Sequence, residues 1–390
     1  MTRAIFDVVV AGGGAAGSAT ALSLRRHAPE LSVAVVERTS HDELRIGETL
    51  PPHARDLLVH LGVWEAFQAE PHRAVYGTAA AWGGAELAAN DFVLGGRGPG
   101  WHLDRRRFDA LLAARAEAAG ATFFRGSEVG VPARRRGAWE VPVSSRATLG
   151  ARFFVDATGT SARPARALGA RAVVLDRLVA IALFFSGGDG DPRTVVEGFR
   201  DGWWYSAGLP AGGRVGVCLT DADVARRLRL GIPEMWLEEL RHTLHVSRAL
   251  AGAAPEGEPV VRAVHSRRLD PARGPGWLAV GDAAATFDPL SGQGVYKALR
   301  GGIFASYAVA DWLLNRDEEA VARYGRFVEA EFRAYVETRT RYYAREQRWP
   351  DSAFWRRRSP HERAIPSHAP APPTPSRTRP PAGRSASPSR

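Results

Sequence analysis

Residues 12 to 17, Gly12-Gly13-Gly14-Ala15-Ala16-Gly17, follow the apolar run FDVVVA and open into SATALSLRR; twenty residues past Gly17, Glu37 ends a second apolar run, VAVVE. In a GxGxxG turn the first glycine permits the sharp bend, the second removes the side chain that would block a pyrophosphate, and the third lets helix and strand pack closely. The helix starting there aims unpaired amides and a positive dipole end at an anion. Gly12, Gly14, Ala16 and Gly17 are therefore the expected diphosphate cradle, Glu37 the acceptor for ribose hydroxyls, and the adjacent Arg38 a further candidate contact. An acid at this position suits an unphosphorylated ribose, as in FAD or NAD, better than NADP.

A second constellation lies at 281 to 294, GDAAATFDPLSGQG. Asp282 ends a buried strand, where a carboxylate can meet a cofactor's sugar-like chain, and Pro289, Gly292 and Gly294 form a turn that opens a helix whose dipole points back. The stretch 202 to 210, GWWYSAGLP, sets Trp203 and Tyr205 on one face of a strand and Trp204 and Ser206 on the other. One aromatic set is expected to pack the core and the other to face a substrate cavity, so Trp203, Trp204 and Tyr205 are the candidate substrate contacts. Glu48, in the loop RIGETLPPH, is the candidate for orientation or proton transfer; His53, His102 and His265 are other possible bases.

These groups need a parallel βαβ unit beneath the glycine turn and a separate wall for the aromatic strand. The chain of 390 residues, 45% hydrophobic, is long enough for two joined domains. The helix after Asp104, a candidate N-cap, carries Phe108, Leu111, Leu112 and Ala116 on one face and stops at Gly120. ARDLLVHLGVWEAF reads as one helix, and 295 to 345 as closing helices. The period-2 runs VAIALFFS, RTVVEGF, WWYSAGL and RVGVCLT, separated by GGDGDP, RDG and PAGG, suggest an antiparallel meander.

The expected fold is α/β: a Rossmann-like dinucleotide-binding domain from 1–75, 100–172 and 270–320, an inserted mixed or antiparallel β-sheet substrate domain from 76–99 and 173–269, and a C-terminal helical segment at 321–355. Of the net charge of +10, the stretch from Arg356 to Arg390, with eight arginines and one glutamate, holds +7. That Pro/Ser/Arg-rich segment reads as a disordered, solvated tail over 356–390, and nucleic acid is not an expected partner. A lone cysteine, Cys218, excludes an internal disulfide and a multi-cysteine metal site, so no metal is expected. Without a leader or a long uncharged apolar run, the sequence predicts no membrane span and a cytoplasmic protein.

GD followed by PxxGxG resembles the second flavin motif of the group A flavoprotein monooxygenases and flavin halogenases. There the aspartate holds the ribityl chain and the turn faces the flavin ring. Asp104-Arg105-Arg106-Arg107-Phe108-Asp109 is similar to the family's R-x-x-F-D, which implies that Arg105 contacts the cofactor. VDATG at 155 to 159 resembles the turn before the substrate domain, and RIGETLPP the R-x-G-E loop beside the isoalloxazine, which adds Arg45 to the cofactor set and sets Glu48 beside the ring. The resemblance covers about residues 5 to 310 and implies FAD rather than NAD, reduced by NAD(P)H directly or through a partner flavin reductase.

The resemblance implies a flavin hydroperoxide as oxidant, in a pocket that excludes water and orients an electron-rich ring. Family halogenases relay the halide through a lysine; the one lysine here, Lys297, is outside that position, and the WxWxIP stretch is absent. WWYSAGLP, GETLPP and WPDSAFWRRR resemble a branch that matures quinone-cofactor enzymes by hydroxylating a tryptophan of a partner polypeptide. The expectation is thus an FAD-dependent monooxygenase acting on an aromatic small molecule or a tryptophan-containing polypeptide, with halogenation and reduction of isoprenoid-like alkenes as alternatives.

Overall fold

The computed structural model describes residues 4–359 except 43–44, 93–95, 97, 145–146, 189–190 and 211. Its first sheet runs, in spatial order, Arg273–Gly274, Trp277–Ala279, Ala147–Asp156, Ile5–Ala11, Val33–Glu37 and Thr122–Arg125. The pairs from Trp277–Ala279 through Thr122–Arg125 are parallel. Val8, Val9, Val10 and Ala11 are fully buried, as a parallel strand covered on both faces requires. The helix Ala15–His27 packs against Arg105–Ala118 and Gly294–Leu314. A Cβ at Gly302 would stand 2.7 Å from the Ala16 carbonyl oxygen, so small residues set how closely the first and last of these helices approach.

The second sheet runs Ala254–Ala263, Leu178–Ser186, Arg214–Asp221, Gly202–Gly208, Thr194–Phe199, Gly77–Ala81 and Ala88–Asp91. The expected four-strand meander is corrected here. Thr194–Phe199, Gly202–Gly208 and Arg214–Asp221 follow one another through short turns, whereas Leu178–Ser186 lies beyond the last of them. Two strands therefore separate Leu178–Ser186 from Thr194–Phe199, and Thr194–Phe199 is free to pair in parallel with Gly77–Ala81. One face packs Trp204, Phe199 and Leu183 against Trp236, Leu240 and Val246; the other packs Trp203, Tyr205 and Val217 against Tyr343, Phe354 and Trp355.

Between these bodies a small sheet joins Thr49–Leu50, Gly100–His102 and Arg73–Val75. The run ARDLLVHLGVWEAF is two helices, Ala54–His60 and Trp64–Ala69, because Gly62 takes φ of +66° between them. Asp104 caps Arg105–Ala118 as expected, its Oδ1 accepting the Arg106 amide at 2.9 Å. The closing helices are Gly294–Leu314 and Glu318–Arg345.

Residues 356–359, expected to open a disordered tail, are structured. Arg356 closes the helix Ala353–Arg356, and Arg358 is buried, 2.6 Å from Asp221 Oδ1; Arg357 reaches Asp223 at 2.7 Å. Buried Asp221, opposite Arg358, anchors a segment that composition alone assigns to solvent. Residues 360–390 lie outside the described residues.

Candidate active site

The glycine turn shows which positions serve packing and which serve a ligand. Gly12 takes φ of +101°, and a Cβ there would lie 2.3 Å from the Ala157 carbonyl oxygen; at Gly17 it would lie 1.9 Å from the Gly12 oxygen. At Gly14, the N-cap of Ala15–His27, a Cβ would meet only Arg45 Nη1, at 3.7 Å. Gly14 thus leaves an open concavity at a helix N-terminus with a guanidinium over it, which fits a diphosphate. Ala16 is buried beneath, against Gly281 and Gly302.

Glu37 accepts the Gly13 amide at 2.6 Å and, on its other oxygen, the amide and hydroxyl of Thr39 at 2.8 and 2.7 Å. Burial raises its proton affinity, but these donors outweigh it and hold the carboxyl below its ordinary value. It stays ionised, braces the turn, and has lone pairs left for a ribose. Arg38, the next residue, is exposed.

Arg45 and Arg105 converge on one carboxylate, that of buried Asp109. Arg45 Nη1 lies 3.1 Å from Oδ2, and Arg105 Nη2 lies 3.0 Å from Oδ2 and 3.2 Å from Oδ1. Arg105 also donates to the carbonyls of Ile46 at 3.4 Å and Gly47 at 3.3 Å, so it holds the loop that carries Glu48.

Glu48 is buried. Burial is the largest influence on it and keeps its proton affinity above the ordinary carboxylate value, although the Gly47 amide, the Tyr205 hydroxyl and the Arg105 charge pull the other way. Tyr205 donates to it, and burial beside this carboxyl raises the phenol well above its usual range, so Tyr205 remains a neutral donor. A buried acid and phenol in contact form a proton-holding pair in an apolar setting.

Asp282 follows the strand Trp277–Ala279 in a tight turn, its side chain 44% exposed, and its Oδ1 is 2.7 Å from Lys297 Nζ. Lys297 is buried, also bonds the Ala285 carbonyl, and sits 4.6 Å over the Phe287 ring. Gly292, at φ of +60°, and Gly294 face open space where a Cβ would meet nothing within 4 Å. Pro289 lies in the turn ahead of Gly294–Leu314.

Asp288, just before Pro289, organises a buried network. Its Oδ1 caps the Leu290 amide at 3.0 Å, its Oδ2 accepts the Tyr343 hydroxyl at 2.7 Å and Arg339 Nε at 3.2 Å, and its amide donates to the Tyr335 hydroxyl at 2.8 Å. Arg339 continues to Asp176 at 2.9 Å, and Trp203 Nε1 donates to the Tyr343 hydroxyl at 3.0 Å. The late turn is thereby tied to the aromatic strand.

The structure brings Tyr205 onto Glu48, sets Trp203 on the same face, and gathers Arg45 and Arg105 at the glycine turn. Trp204 is separated from them: fully buried, its ring 4.8 Å from Trp236, it faces the helices on the other side of the sheet. Of the candidate bases, His102 is buried with its proton affinity pushed down to about 3 by burial and by Arg73 and Arg214, and bonds Thr194 Oγ1 at 2.8 Å. It is neutral at ordinary pH and too weak a base to take a proton there. His53 packs edge-on to Tyr296 at 4.3 Å, and His265 is half-buried. Sequence reasoning missed Asp109, Asp288, Arg339 and Tyr343. Asp109 and Asp288 stand inside quoted motifs; Arg339 and Tyr343 lie on a long helix with no local signal.

The family model of the tryptophan halogenases matches residues 7–83 and 84–369. LodB of Marinomonas mediterranea, assigned as an FAD-dependent oxidoreductase, is 30% identical over 362 residues, which is 90% of this chain and 96% of that one. The tryptophan 2-halogenase of Chondromyces crocatus is 25% identical over 343 residues, 81% of this chain and 63% of its own. Among solved structures, the myxobacterial chondrochloren halogenase CndH aligns with a TM-score of 0.83 at 22% identity over 94% of this chain and 87% of its own. The peptidyl tryptophan dihydroxylase QhpG aligns with a TM-score of 0.70 at 25% identity over 91% and 79%. The expected flavoprotein fold and its FAD dependence thus rest on a match along nearly the whole chain, which belongs to the tryptophan halogenase family and is an FAD-dependent oxidoreductase.

Proposed function

We propose that this chain is a monooxygenase that hydroxylates an aromatic, indole-like substrate, in its most specific form a tryptophan of a partner polypeptide. The observation that carries the reading is the state of Lys297, buried and committed to Asp282, the Ala285 carbonyl and the Phe287 ring. A halide relay needs an amine that faces the substrate, and arginine, which keeps its proton, does not replace it. The likeness to QhpG, a peptidyl tryptophan dihydroxylase, supports a polypeptide substrate.

In this reading the pieces 1–75, 100–172 and 270–320 hold FAD, and 76–99 with 173–269 form the substrate domain. Gly12, Gly17 and Ala16 shape the turn, Gly14 and Arg45 take the diphosphate, and Glu37 takes the ribose, with Arg38 at its edge. Arg105 and Asp109 fix the loop before Glu48, while Asp282, Pro289, Gly292 and Gly294 line the ribityl and ring end. Reduced FAD supplies the activation of O2. NAD(P)H, acting directly or through a partner flavin reductase, supplies the electrons. Trp203 and Tyr205 wall the substrate cavity, Tyr205 orients Glu48, and the Glu48 carboxyl holds the proton that is exchanged with the substrate.

Halogenation is the second reading, favoured by the family match and by CndH. Incubation of the FAD-loaded protein with a reductant, O2, bromide and a tryptophan-containing peptide separates the two by product mass. Gain of oxygen without bromine is expected; gain of bromine would overturn hydroxylation.

A further inference from the structure

A cavity of about 390 Å³ is lined by neither Glu48 nor Tyr205. Trp101, which lines it, alternates along the strand Gly100–His102 with His102, which turns to Thr194, so the cavity opens on the opposite face of that strand from the large substrate sheet. Trp64, Phe67 and Trp101 make its aromatic wall. Their ring centroids are 5.5 Å apart for Trp64 and Trp101, 5.7 Å for Trp64 and Phe67, and 5.3 Å for Phe67 and Trp101, with Trp101 edge-on to both partners. Both tryptophans are only half-buried, which leaves large π surfaces facing a hollow of ligand size.

We propose that this cavity binds an aromatic carboxylate carrying a ring N–H, a ligand of the indole-carboxylate class. The rings supply stacking and edge contacts for a flat bicycle. Arg55 lies 5.3 Å over the Trp64 ring, is exposed, and forms no ion pair among the described residues, so its guanidinium can take a carboxylate at the mouth. The lining acid, Glu70, faces Arg107 at 3.5 Å and adds little repulsion. His72 packs 4.7 Å from Phe67, and neither of its ring nitrogens has a hydrogen-bond partner. His72 is half-buried, but leaving both of its shielded ring nitrogens without a partner is costly, and a small turn of the ring gives a ligand N–H the acceptor it needs. An occupant would press on Trp101, whose backbone pairs with Leu50 two residues past Glu48.

The test is calorimetric titration of the FAD-loaded full chain with indole-3-acetate, and with tryptamine as its cationic twin. Indole-3-acetate is expected to bind at one site with tryptamine at least roughly tenfold weaker, and Arg55→Gln, on the surface, to remove roughly tenfold in affinity while flavin content and thermal unfolding stay unchanged. His72→Phe is expected to weaken indole-3-acetate more than naphthalene-1-acetate, which lacks the N–H. Equal binding of the two indoles, unchanged affinity in Arg55→Gln, or a loss seen in Tyr205→Phe but not in Arg55→Gln would each overturn the assignment. None of these readouts involves turnover, so they stand apart from the hydroxylation reading.

Discussion

The hydroxyl of Tyr343 lies 2.7 Å from Asp288 Oδ2 and makes the only described side-chain bridge between that carboxylate and the Trp203 indole, 3.0 Å away on its other side. A residue on a helix near the end of the chain thus fixes both the turn at Pro289 and the wall of the aromatic strand.

Tyr343→Phe removes one donor from a buried carboxylate and the acceptor of a buried indole N–H. A loss of about 1–3 kcal/mol in unfolding free energy is expected from groups left unsatisfied. Urea denaturation of the FAD-loaded protein, with flavin absorbance as a second signal, measures it. If Asp288 also sets the turn, FAD is released earlier along the urea axis than the protein unfolds.

Glu48→Gln separates chemistry from stability. The native carboxyl has a raised proton affinity, so between its unfolded value of 4.5 and its folded one the native state binds more protons, and stability falls as pH rises through that window. The neutral amide is free of this dependence. The variant is expected to unfold at a higher temperature than the parent at pH 8, to differ less at pH 4, and to lose at least about tenfold in kcat. Thermal melts at the two pH values and product quantitation check both halves.

His102 gives the opposite slope. Its folded value of about 3 lies below the ordinary 6.5, so as pH falls below 6.5 the unfolded chain takes a proton that the native state refuses. Stability is full above 6.5 and is lost by up to about a factor of ten in the folding equilibrium per pH unit on the way down. Comparing His102→Gln with the parent by denaturant midpoints between pH 7 and 5 should show a shallower slope in the variant.

Gly12→Ala and Gly14→Ala should part ways. At Gly12 the positive φ and the Ala157 oxygen 2.3 Å from a new Cβ predict a loss of about 1–3 kcal/mol or failure to fold. At Gly14 the nearest atom is 3.7 Å away, so the variant folds. Its methyl stands in the concavity proposed for the diphosphate, and FAD affinity is expected to fall roughly tenfold by fluorescence titration.

The parallel core was legible because VVVA and VAVVE are continuous apolar runs flanking a turn with one structural solution. The alternation of Trp203, Trp204 and Tyr205 was equally readable, but which face meets Glu48 was not. That choice is made by Trp236 on one side and Tyr343 on the other, residues distant in sequence. The order of strands in the second sheet failed for a related reason. The loop at 187 to 193 looks like any short turn, and only the presence of Gly77–Ala81 as a parallel neighbour shows where Thr194–Phe199 must go. Asp109 and Asp288 were overlooked because an acid inside a motif looks like a capping residue until its arginines are located.

The parallel pairing of Thr194–Phe199 with Gly77–Ala81 has a practical side for anyone cutting the gene. Excising 173–269 to graft in a relative's sheet would strip Gly77–Ala81 of its neighbour Thr194–Phe199 and expose a raw backbone edge. A chimaera that exchanges both stretches together keeps that seam whole and is the design with a chance of staying in solution.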